Sequence, residues 1–139
     1  MQAVIWTSYY SNIKKVLRKN PNLIFISIAG YKPKWLEGSV IEVLEYKKLA
    51  PEKAWWRVWH DMFESDLECE ESRTWYKKAY VETILSKLEP KKVQCELLDL
   101  SMGRDVCLLC YEVPSKFCHR QLVSEWLNDA GIECKEFQV

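Results

Sequence analysis

Asp105-Val106-Cys107-Leu108-Leu109-Cys110-Tyr111 decides the fold. Five consecutive apolar residues, opened by the turn Gly103-Arg104, predict a short strand buried on both faces, the habit of a parallel sheet. A loop around Pro114 follows. Leu122, Val123, Trp126, Leu127 and Ala130 then recur at helical spacing, with Gly131 as the C-terminal cap. Ile132–Phe137 reads as a last strand. Strand, helix and strand in that order make a parallel βαβ unit.

The same alternation extends upstream. Ala3–Trp6 predicts a first strand, and Ser11 can cap a short helix with Ile13, Val16 and Leu17 on one face. Asn20-Pro21-Asn22 stops that helix, and Leu23–Ile28 is a second buried strand. Tyr31–Glu37 is an irregular loop around Pro33, and Val40–Leu44 reads as a helical turn. Pro51 suits the first turn of a helix carrying Trp55, Val58, Trp59, Met62 and Phe63. Glu64–Glu71 is an acidic loop. Ser72 can cap a long helix bearing Trp75, Tyr76, Ala79, Tyr80, Ile84, Leu85 and Leu88. Pro90 opens another, with Val93, Leu97 and Leu100 inward. The expected fold is one compact three-layer α/β domain over residues 1–139, with a mostly parallel four- or five-stranded sheet between helices.

A chain of 139 residues has no room for two ordinary cores. At 48% hydrophobic residues it buries a sizeable core, which excludes disorder. The start Met1–Thr7 has no basic region followed by a long apolar run, and apolar runs stop near six residues, far below the ~20 of a membrane span. The chain is expected to be cytoplasmic, with no membrane partner and its six cysteines mostly reduced. Its formal charge is zero, which argues against long nucleic-acid tracts. That zero is a cancellation: residues 1–60 carry +6 and residues 61–139 carry −6. The asymmetry allows a basic, aromatic face for a small anionic ligand, or a contact between two copies in a homodimer.

Chemistry concentrates in Cys110-Tyr111-Glu112-Val113-Pro114-Ser115-Lys116-Phe117-Cys118-His119-Arg120. This segment leads from the end of a buried strand into a helix start. Ligands of open α/β sheets bind at strand C-terminal ends, and free N–H groups at a helix start favour anions. Cys118 there would be held as a thiolate, His119 titrates near neutrality, and Arg120 offers a forked donor for phosphate or carboxylate. Glu112 can pair with Arg120 or act as a base. The plainer readings are a buried Cys110, a Glu112–Arg120 pair that braces the loop, and a His119 turned to solvent. Cys107-x-x-Cys110 is coincidental, because residues three apart on a strand point to opposite faces ~10 Å apart. A metal held by Cys110, Cys118 and His119 needs a fourth ligand from Cys95, Cys134 or His60, and adjacent residues rarely bind one ion together. A phosphoryl-transfer loop from Cys110 to Arg120 has nine intervening residues where such cradles have five.

At this motif the chain resembles the domain-of-unknown-function family 488. The resemblance rests on Cys110-x-Glu112, on Cys118-His119-Arg120, and on the helix that ends in Trp126-Leu127. Thr7-Ser8-Tyr9 after the first strand and Tyr31-Lys32-Pro33 after the second are looser matches. It covers about Ile5 to Glu136 and implies a compact α/β domain, with candidate positions and no reaction. Many members carry Asp-x-Arg at the end of the second strand, where this chain has Ser27-Ile28-Ala29-Gly30. If that pair is catalytic, this chain binds the family's ligand without turning it over.

Aromatic and basic residues interleave before residue 60, as on surfaces that bind nucleotides or single-stranded nucleic acid. Trp55 and Trp56 cannot both face inward on one helix, and Trp35 sits in a loop at a strand's ligand-binding end. The sequence therefore points to a site for a small phosphorylated or nucleotide-like ligand, or a nucleic-acid base. Cys118, His119 and Glu112 are its candidate catalytic groups, with N-glycosyl or thiol-nucleophile hydrolysis as candidate steps. Thr7, Ser8, Tyr9, Trp35, Cys110 and Arg120 are its candidate ligand contacts. No cofactor is called for and no residue is assigned to a metal. Two other readings stand beside this one: a non-enzymatic interaction domain with a structural Cys/Glu/Arg motif, and a metal-binding Cys/His protein.

Overall fold

A computed structural model describes residues 3–138; Met1, Gln2 and Val139 lie outside it, with the first two residues of the Met1–Thr7 reading. Five strands form one sheet: β1 (Ile5–Tyr9), β2 (Ile24–Ser27), β3 (Val43–Glu45), β4 (Val106–Cys110) and β5 (Cys134–Glu136). Their spatial order is β3-β2-β4-β1-β5 and every pairing is parallel. The helices are α1 (Ile13–Lys19), α2 (Lys53–Met62), α3 (Glu70–Thr83), α4 (Pro90–Leu100) and α5 (His119–Asp129). The expected three-layer α/β domain is present, with its sheet wholly parallel.

The central strand is β4, buried at all five positions. Val106 and Leu108 pack into the larger core with Tyr80, Leu97, Val123 and Leu127. Cys107 and Leu109 face the smaller core with Ile13, Val16 and Phe25. The route from β1 through α1 to β2 runs one way past β4, and the route from β4 through α5 to β5 runs the other way past β1. Right-handed crossovers then set α1 and α5 on opposite faces. The C-terminal ends of β1 and β4 mark the reversal, where such sheets hold ligands. Among the described residues, no helix is long and apolar enough to cross a membrane.

Several local expectations are corrected. The first strand runs Ile5–Tyr9 instead of Ala3–Trp6, so Thr7, Ser8 and Tyr9 belong to the sheet. Val40–Leu44 is no helical turn: Val43–Glu45 pairs with β2 as an edge strand, with Val43 buried in the core. Asn12, not Ser11, occupies the N-cap of α1. Cys69, not Ser72, caps α3: its Sγ accepts from the Ser72 N–H at 3.4 Å. Ser72 lies inside the helix, where its hydroxyl donates to the Leu67 carbonyl. That helix stops at Thr83, and Leu85–Lys87 forms a separate 3-10 turn. Pro51 precedes α2 by two residues, and Leu100 is exposed at the end of α4.

Candidate functional site

The strand-end loop 111–117 carries the chain from Cys110 to Cys118, and that return brings the two thiols together. Cys118 is the N-cap of α5, its backbone extended (φ −148, ψ 147), and His119 is the first helical residue. Cys110 Sγ, Cys118 Sγ and a ring nitrogen of His119 lie within 4.8 Å of one another, all three residues buried. His119 is not turned to solvent. Its Nε2 donates to the Ile28 carbonyl at 2.7 Å, which in the neutral ring makes Nδ1 the acceptor, and Nδ1 stands 3.5 Å from Cys110 Sγ. The Tyr80 ring packs on the imidazole at 5.4 Å between centroids.

Burial opposes ionisation of both thiols, and their surroundings then separate them. For Cys118 it is outweighed: the Cys110 thiol and His119 hydrogen-bond to its sulfur and the charges of His119 and Arg120 face it, so its pKa falls well below the ordinary thiol value. For Cys110 burial and the neighbouring Cys118 sulfur act together and push its pKa well up. Of the pair, Cys118 is therefore the more acidic thiol and Cys110 the one that keeps its proton.

This trio forms the floor of an open cleft of about 630 Å³. Ala29 and Gly30 beyond β2, Tyr111 and Glu112 beyond β4, and Trp56 and His60 of α2 contribute to its walls. Trp56 is 37% exposed and stacks on His60, centroids 5.1 Å apart and planes 18° apart. Tyr111 donates from its hydroxyl to the Tyr31 carbonyl at 2.8 Å and packs on the Tyr31 ring. Burial chiefly, with Tyr31 and Cys110 adding, pushes its phenol up to about 12, so it enters the cleft wall neutral. The ionic lining is acidic: Glu64, Asp66, Glu68 and Glu112 against Lys116.

The cleft thus gathers Cys110, Glu112, Cys118 and His119 from the sequence-derived set. It does not gather Arg120, Thr7, Ser8, Tyr9 or Trp35. Arg120 is fully buried and its donors are engaged inside the protein. Nε and Nη2 each reach a Glu136 carboxylate oxygen at 3.0 Å, and Nη1 donates to the Glu112 backbone carbonyl. The expected Glu112–Arg120 carboxylate pair is therefore replaced by Glu136–Arg120. Thr7 donates to Glu136 at 2.7 Å, and the Tyr9 ring lies 5.7 Å from the guanidinium. Ser8 is buried and accepts from Asn12 at 3.2 Å. The former ligand wall is a structural network that anchors the start of α5. Trp35 is 54% exposed on a 3-10 turn outside the cleft. Cys107 pairs in the sheet opposite Trp6 and Phe25, away from the trio, in keeping with a coincidental CxxC.

Sequence reasoning gave no site role to Glu136, Trp56 or Tyr111, and weighed His60 only as a fourth metal ligand. The doublet Trp55-Trp56 signalled that one indole must face outward, and it is Trp56. Glu136 gave no signal, since its partner is 16 residues away across a crossover. Where a known family is concerned, a sequence model described as the active DUF488-N3 subclade matches residues 17–131. No curated protein and no solved structure matches the chain. The chain belongs to the DUF488 family.

Proposed function

We propose that this DUF488 member binds a small planar, nucleobase- or nucleoside-like ligand in the strand-end cleft, above the Cys118–His119 floor. The observation that carries this reading is the meeting of an aromatic wall with a reactive floor. Trp56 and Tyr111 line the same cleft as the acidified Cys118 thiol and the His119 imidazole. Aromatic faces stack planar bases in a sequence-tolerant way, at about 1–3 kcal/mol each. The volume falls within the usual range of small-molecule sites. Because Arg120 is engaged by Glu136 and the lining is acidic, a neutral base or nucleoside fits better than a phosphorylated one. The description of the matching subclade as active supports a working site. All six cysteines are unpaired, as suits a reducing compartment such as the cytoplasm.

A thermal-shift series with nucleobases, nucleosides and their monophosphates tests this. The expected result is a stabilising base or nucleoside whose effect Trp56→Ala abolishes. No shift with any member of the series would overturn the reading. A second reading, a non-enzymatic interaction domain, is favoured by one observation: Tyr31, Trp35 and Val40 are all strongly exposed in one segment between β2 and β3.

A further inference from the structure

We propose that Cys110, Cys118 and His119 form a binding site for one thiophilic divalent cation of the zinc class, with its fourth coordination position open to the cleft. The donor set is two thiolate sulfurs and one imidazole nitrogen, the set of several catalytic zinc centres, including those that hydrolyse bases. The distances suit it. An ion ~2.3 Å from sulfur and ~2.0 Å from nitrogen in tetrahedral geometry sets the two donors ~3.5 Å apart. Cys110 Sγ and His119 Nδ1 stand at 3.5 Å, and all three donors lie within 4.8 Å.

Adjacent residues rarely serve one ion, and the backbone here explains why Cys118 and His119 can. The chain passes from extended to helical between them, which turns both side chains toward Cys110. The imidazole is already oriented as a ligand. Ile28 accepts from Nε2 at 2.7 Å, so the tautomer is fixed with the Nδ1 lone pair toward the sulfurs, the usual outer-shell device of metal-bound histidine. Charge points the same way. A dication here would balance two thiolate charges, its binding releasing the proton that Cys110 otherwise keeps. Cys110, Cys118 and His119 all border the cleft, so the unfilled position faces ligand and water. There a bound water would be activated toward hydrolysis. This inference rests on the ligand-binding reading only for its substrate; the ion site itself is measured without any ligand.

The test uses the full chain, stripped with chelator and titrated with Co²⁺. The expected result is one equivalent bound, with thiolate-to-cobalt charge-transfer absorption that Zn²⁺ bleaches. Cys118→Ser and Cys110→Ser should each lose that absorption, and Cys95→Ser, at an exposed thiol elsewhere, should keep it. Should the site variants misfold, the wild type suffices: one equivalent of Zn²⁺ should stop iodoacetamide labelling at Cys118, and chelator should restore it. Absence of the band in wild type, its persistence in Cys118→Ser, or labelling indifferent to Zn²⁺ would each overturn the site. A nucleoside shift that survives such a result would leave the ligand reading intact, so the two failures are distinguishable.

Discussion

Arg120 and Glu136 meet in a two-point ion pair inside the protein, Nε to Oε1 and Nη2 to Oε2 at 3.0 Å each. The pair ties the first turn of α5 to β5, and Thr7 fastens the same carboxylate to β1. It therefore fixes where the helix start, and with it Cys118, sits against the sheet.

Removing one partner leaves the other buried and uncompensated. Glu136→Gln should destabilise the fold by about 3 kcal/mol, within the range for broken buried pairs. Urea denaturation of wild type and variant measures this. A loss below about 1 kcal/mol would show that the pair is worth no more than an exposed one.

Cys118 should react as a thiolate below the usual thiol range. Iodoacetamide labelling of metal-free protein, followed against pH, should stay fast as pH falls below ~8.5. Cys110→Ala removes one of the hydrogen bonds that hold the charge, so its labelling profile should move to higher pH. The sign for stability follows. A thiol more acidic in the folded chain than in the unfolded one stabilises the fold above ~8.5 and loses that effect as pH falls through its folded value.

The other buried thiols act in the opposite direction. Burial holds Cys134 up to about 11, and Cys107 and Cys110 are also raised. Each stays protonated in the fold where the unfolded chain has already ionised. Their contribution is full below ~8.5 and is lost as pH rises through each folded value, about 11 for Cys134. Thermal melts between neutrality and pH 10 should show falling stability, and Cys134→Ala should flatten the slope.

Trp56→Ala should separate binding from folding. The indole is partly exposed and has no hydrogen bond among the described residues, so the substitution should change stability by about 0.5 kcal/mol or less. Trp59→Ala should instead cost about 3 kcal/mol or more, because Trp59 is buried and donates to Ser72. Chemical denaturation of both variants checks the contrast. Equal losses would move Trp56 from the cleft wall into the core.

Gly131 sits at φ +80 just past α5, where a side chain is strained whatever the space around it. Gly131→Ala should destabilise by about 1 kcal/mol. Thermal melts measure it, and an unchanged midpoint would mean that the turn accepts another conformation.

The sequence by itself determined the fold class. The apolar runs at Leu23–Ile28 and Asp105–Tyr111 admit only strands covered on both faces, and helical periodicity between them forces parallel crossovers. It also marked Cys110, Glu112, Cys118 and His119, because a strand end and a helix start are placed together by local geometry alone. Only the tertiary structure decided the rest. Arg120 looked like a ligand clamp until Glu136, brought beside it by the β4–α5–β5 crossover, took its donors. Thr7, Ser8 and Tyr9 looked like a wall until β1 ran to Tyr9 and buried them. Trp56, not Trp35, lines the cleft because α2 borders it opposite the strand ends, while Trp35 lies exposed outside it. Such partners are set by chain crossings between residues distant in sequence, and no local spacing records them.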